Sequence, residues 1–128
     1  MKIGNIKFKA KRLDNGEWVK GDLAHSLDGG LNIFGFTREN GVDGYSGVHL
    51  IDPSTVCQFT GLKDCKGEEV WEGDIVEFDT YDLYKGYVTD RAVMEYIGSG
   101  FVVLIDNISY TLSSKGIKVI GNKFDKEV

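Results

Sequence analysis

The sequence predicts an all-β, antiparallel fold, and three observations carry that expectation. Its 17 glycines fall every few positions along 128 residues, and between them stand short runs rich in Val, Ile, Phe, Tyr and Thr, the punctuation of strands and tight turns. Several of these runs alternate polar and apolar residues, the period of a half-buried strand. Nowhere does an apolar period of 3.6 residues persist over three turns. Lys85 to Tyr96 comes nearest, and its Gly86, Val88, Thr89 and Val93 favour strand.

Taken in order, Lys7-Phe8-Lys9-Ala10-Lys11 alternates, Asp14-Asn15-Gly16 tolerates the left-handed region, and Glu17-Trp18-Val19-Lys20 resumes extended structure. Residues 6 to 24 therefore read as a hairpin. Leu31 to Phe36 is a further strand with Leu31, Ile33 and Gly35 on one face. Thr37 to Gly47, with Gly41, Gly44 and Gly47 and little to bury, is expected to be a mobile loop. Asp52-Pro53-Ser54 signals a turn before the strand Thr55 to Thr60.

In the second half, Asp74 to Phe78 opens a strand directly after Gly73, and a polar loop bearing Tyr81, Tyr84 and Tyr87 is expected to follow. Ala92 to Ile97, Phe101 to Ile105, Ser109 to Leu112 and Lys118 to Ile120 supply the other strands, with a turn at Gly98-Ser99-Gly100. Phe101 to Ile105 does not alternate, which predicts burial on both faces. Five short strands suit a closed or half-closed antiparallel barrel, because closure removes exposed edges; a two-sheet sandwich is the other architecture they permit.

At 14.2 kDa one domain is the default, spanning 1-128, with an N-terminal hairpin and strands over 1-62 and a small barrel part over 63-128. The longest apolar run, Phe101 to Ile105, is five residues, far below the roughly 20 that cross a bilayer. The lysine-rich N-terminus lacks the apolar segment of a secretory signal. No membrane association and a cytoplasmic location are the expectation. The net charge of -5 argues against generic, charge-driven nucleic-acid binding, and the acidity belongs to the C-terminal half.

Cys57 and Cys65 lie eight positions apart, distant in the chain from His25 and His49, which matches no zinc spacing and predicts free thiols in a reducing compartment. Glu68, Glu69, Glu72, Asp74, Glu77 and Asp79 lack the ordered offsets of a calcium loop and read as a solvated acidic face. His25-Ser26 and Ser99 lack the frame of a nucleophile elbow, and no phosphate-cradling glycine pattern is present. The expectation is no enzyme, no cofactor and no metal.

Gly21-Asp22 and Gly73-Asp74 follow Trp18 and Trp71 in a weak internal echo. Both pairs are expected to be structural turns, with both tryptophans in the core. Lys7, Lys9 and Lys11 share one face of the first strand, where lysines protect a sheet edge or form a stripe for phosphates. Tyr81, Tyr84 and Tyr87 are the expected protein-contact residues.

The block Thr60-Gly61-Leu62-Lys63-Asp64 through Glu72-Gly73-Asp74-Ile75-Val76 resembles the YopX family of phage and prophage proteins. So do Val119-Ile120-Gly121-Asn122 and the N-terminal Lys7-Phe8-Lys9-Ala10 followed by Trp18, Gly21 and Asp22. Cys57 departs from a usual glycine and Cys65 from a common polar residue. The resemblance implies a small SH3-like barrel, an association with temperate phages of Gram-positive hosts, and no assigned activity or catalytic residues. A non-enzymatic accessory module that associates with itself or with a host or phage protein is the function expected. The alternative is a small barrel that binds nucleic acid, weakly and salt-sensitively, through Lys7, Lys9 and Lys11.

Overall fold

A computed structural model describes residues 3–98, 100–105, 108–110 and 116–125. Among these are eleven strands and no α-helix, with short 3-10 turns such as Ile3–Asn5 and Pro53–Thr55. Two antiparallel sheets result. One has the hydrogen-bonded order β4-β3-β2-β1-β5-β6 and the other β10-β9-β8-β7-β11. The chain divides into two compact units, Met1–Phe59 and Thr60–Val128, and passes from one to the other within β5 (Cys57–Lys63).

In the first unit, β1 (Phe8–Lys11) and β2 (Trp18–His25) form the expected hairpin. Its turn is closed by Asn15, whose Oδ1 accepts the Glu17 N–H at 2.9 Å. Arg12 grips Asp14 at 2.6 Å, and this hydrogen bond holds the exposed Asp14 carboxyl below its ordinary pKa. β3 (Leu31–Glu39) and β4 (Val42–Leu50) form a second hairpin. Ala10, Val19, Ile33 and Ile51 are buried together on one face, and Leu31, Ile33 and Gly35 do share a face with them.

The mobile loop expected over Thr37 to Gly47 is therefore a correction: those residues lie in β3, β4 and the turn between them. Asn40 at φ 51 and Gly41 at φ 77 make that turn. Two successive positive φ values match the right-handed twist of a two-residue hairpin, and the pair Asn-Gly adopts them most readily. The segment has little to bury because its side chains lie at the open end of the sheet, not because it lacks structure.

In the second unit, β6 (Glu69–Trp71) precedes β7 (Asp74–Asp82), β8 (Gly86–Ile97), β9 (Gly100–Ile105), β10 (Ile108–Tyr110) and β11 (Ile117–Asn122). Val70, Val76, Phe78, Met94, Val103 and Ile117 form its core. The five expected strands are present. The helix-like stretch from Lys85 is strand β8, and the polar tyrosine loop is instead the paired end of the β7–β8 hairpin.

Two further expectations are corrected. The sheets are open in their hydrogen-bond order, with β10 and β11 at opposite ends of the second, so the closed barrel does not form among the described residues. Phe101 to Ile105 is not buried on both faces: Val103 is fully buried and the adjacent Leu104 is 38% exposed. β9 covers a core on one side only, so an all-apolar run need not mean a strand enclosed on both sides. Ser99 and Leu112 lie outside the described residues.

Candidate contact surfaces

The family-like block folds around two buried aspartates of the second unit. Asp64 Oδ1 accepts the N–H groups of Lys66 and Glu68, both at 2.9 Å, and its Oδ2 accepts Val119 N–H at 3.0 Å. Burial pushes this carboxyl up, and the three amide donors together outweigh burial, so its pKa is lowered. Asp74 Oδ2 accepts Trp71 N–H at 2.8 Å, and its Oδ1 accepts the side-chain amide of Asn122 at 2.9 Å. Asn122 Oδ1 in turn accepts Phe124 N–H. The central block and the C-terminal Val119 to Asn122, 48 to 55 positions away along the chain, are thus one hydrogen-bonded assembly.

Gly73-Asp74 lies where the chain turns from β6 into β7. Gly73 has φ 87 and is bonded at both backbone groups, to Met94 O and from Lys123 N–H. Gly21-Asp22 is not its counterpart. Both residues lie inside β2, and Asp22 is exposed. Gly21 is required there by close approach: a Cβ at this position would collide with the Phe34 carbonyl. The tryptophans separate likewise, Trp71 being core and Trp18 half-buried on a sheet surface. A similar order of residues in sequence does not produce equal environments, because the first pair is central in a sheet and the second starts a strand.

Lys7, Lys9 and Lys11 are brought together on one face as expected, although β1 lies between β2 and β5 and is no edge. Edge protection is therefore not their role. Lys9 and Lys11 place their ammonium groups 4.7 and 5.4 Å from the Trp18 ring, and Lys7 lies 4.7 Å from that of Phe59. These are cation–π distances.

Tyr81, Tyr84 and Tyr87 gather at the tip of the β7–β8 hairpin, 65%, 97% and 79% exposed. Asp82 makes the tip: its Oδ1 accepts Tyr84 N–H at 2.7 Å and Lys85 N–H at 3.0 Å, which closes the chain and turns Leu83 and Tyr84 outward. Tyr81 and Tyr87 are cross-strand partners whose rings meet edge to face at 5.3 Å.

The acidic run does not assemble into a ligand set. Glu77 pairs with Arg91 at 3.1 Å, Asp79 accepts from Thr89 at 2.9 Å, and Asp74 is held as above. No group of three or more His, Cys, Asp or Glu side chains in metal-binding arrangement occurs among the described residues. Ser26 Oγ is engaged by Asn32. Cys57 is buried and Cys65 exposed, both as free thiols.

Sequence reasoning missed a second aromatic cluster. Phe34, Phe36 and Tyr45 are 37%, 40% and 68% exposed, with Tyr45 4.9 Å from the Phe34 ring and 5.7 Å from that of Phe36. The dipeptide Asn40-Gly41 was the signal that could have found it, since a hairpin there pairs Phe36 with Tyr45.

These features define a small all-β protein whose exposed aromatic and basic side chains lie on strand faces and hairpin tips. The chain belongs to the YopX family, whose model, described as YopX protein, matches residues 7–126. That family is phage-associated, and its membership assigns no activity. No curated protein matches the sequence. Among the described residues no helix is long and apolar enough to cross a membrane.

Proposed function

We propose that this YopX-family chain is a non-enzymatic phage accessory module of the host cytoplasm, which binds a host or phage protein and associates with itself. The observation that carries this reading is the hairpin tip. Tyr81, Leu83, Tyr84 and Tyr87 offer apolar area on a turn closed by Asp82, and tyrosine contributes such area at an interface with little loss of side-chain freedom. The SH3-like architecture implied by the family belongs to the same proposal, as a half-open form built from β7 to β11.

Affinity purification from the bacterial host, with and without nuclease, tests it. A nuclease-resistant protein partner or second copy that is lost from the Tyr81→Ser, Tyr84→Ser double variant is expected. Capture unaffected by the double variant rejects the hairpin as the contact. A second reading, nucleic-acid binding through Lys7, Lys9 and Lys11, is favoured by one specific observation: these lysines share a sheet face with exposed aromatic rings.

A further inference from the structure

We propose that the outer face of the first unit's sheet is a platform for single-stranded nucleic acid, with its bases on Phe34, Phe36 and Tyr45 and its phosphates along the lysines of β1 and β2. The proposal rests on the second reading above and adds the site, the strandedness and the residues that take the bases.

Strand register establishes the face. Residues opposite each other in an antiparallel pair project to the same side. Lys11 is opposite Trp18, Lys9 is opposite Lys20, Asp22 is opposite Phe34, and Phe34 is opposite Val48. The ring contacts to Tyr45 and Phe36 extend the same side. Ala10, Val19 and Ile33 occupy the other side and form the core. One face of the sheet thus carries a row of ammonium groups on β1 and β2, then Trp18, then a cluster of exposed rings on β3 and β4.

The two rows lie roughly 10 Å apart, two inter-strand spacings. Phe36 and Tyr45, with Thr37, Asp43 and Gly44, also border an open hollow of about 340 Å³, within the size range of small-ligand clefts.

Charge distribution supports this occupant. Met1–Phe59 contains seven Lys or Arg and seven Asp or Glu, so the net charge of -5 belongs to Thr60–Val128, with eight and thirteen. The acidic strand residues on the face are Asp22 and Asp43, and Asp43 is paired with Arg38 at 2.7 Å. Rings beside cations match a polymer that alternates stackable bases with phosphates. A duplex hides its bases from such rings, so the single strand is the form that fits.

Fluorescence anisotropy with an end-labelled oligothymidine and with a duplex of equal length tests the proposal in the whole protein. Micromolar affinity for the single strand is expected, with duplex binding at least about tenfold weaker. The dependence of log K on log salt should have a slope of about -2 to -3, for three or four phosphates neutralised. Phe34→Ser with Tyr45→Ser should weaken binding about tenfold or more, with a cooperative urea transition showing that the variant is still folded although the lost ring pair lowers its midpoint. Lys9→Gln with Lys20→Gln should flatten the slope by roughly 1.4. Tyr84→Ser should leave the affinity unchanged, which separates this site from the hairpin contact.

Absence of binding up to about 100 µM at low salt, equal affinity for duplex, or unchanged affinity in the Phe34, Tyr45 variant overturns the proposal. So does loss of self-association in that variant without any oligonucleotide binding by the parent, because the face would then belong to a second copy.

Discussion

Asp64 and Asp74 secure the C-terminal strand by accepting hydrogen bonds from the Val119 N–H and the Asn122 side-chain amide. Removal of either carboxylate leaves buried amide donors unpaired, each a cost of about 1 to 3 kcal/mol. Asp74→Ala should lower the denaturant midpoint accordingly. Gly73→Ala should cost about 1 to 2 kcal/mol, because φ 87 brings a Cβ against the neighbouring carbonyl. Asp64 adds a pH dependence. Its pKa is lower folded than unfolded, so its stabilisation is fully present above the unfolded value of about 3.9. It is lost as pH falls through the depressed folded value. Urea midpoints of Asp64→Asn should therefore decline less steeply than those of the parent below about pH 4. Asp14, also lowered but exposed and paired to Arg12, is present in both proteins and cancels from the comparison.

Among the elements, the β2–β3 pairing depends on Gly21. Its backbone approaches Phe34 so closely that alanine must push the strands apart or shift the register. Gly21→Ala should destabilise by about 1 to 3 kcal/mol, as overpacking does. It should also disturb Phe34, so an altered environment of the exposed rings would accompany the loss. If Gly21→Ala keeps the parent's urea midpoint, the close approach is not as described. The β7–β8 hairpin behaves differently: cross-strand bonds such as Thr80 to Asp90 at 2.6 Å support its stem, while its tip buries almost nothing. Tyr84→Ser should thus leave the midpoint unchanged within about 0.5 kcal/mol, the scale of surface substitutions.

For the whole molecule, the two thiols report on two environments. Cys57 is buried and Cys65 exposed, so native titration with a thiol reagent should modify one group rapidly and the second only on unfolding. Two fast thiols, or none, would contradict this arrangement. Light scattering over micromolar concentrations should give a mass above the 14.2 kDa of one chain if the proposed self-association holds. A monomer throughout that range would remove it.

Glycine spacing and two-residue periodicity determined the all-β class and the places of most strands, because turns and half-burial are local demands that one segment answers alone. The family-like block was likewise legible, although not its purpose: Asp64 and Asp74 act on Val119 and Asn122, and a bond across some 50 residues leaves no local pattern. Asn40-Gly41 did carry a local signal, outweighed by the count of glycines around it. What only the tertiary structure decided is which side each strand shows to the core. Lys9 and Lys11 read as an edge and are central, Trp18 reads as core and lies on a surface, and Phe34 and Tyr45 meet only when β3 and β4 pair. Exposure is a property of the whole assembly of strands. A single strand's sequence sets the alternation, and its neighbours in the sheet set which face is covered.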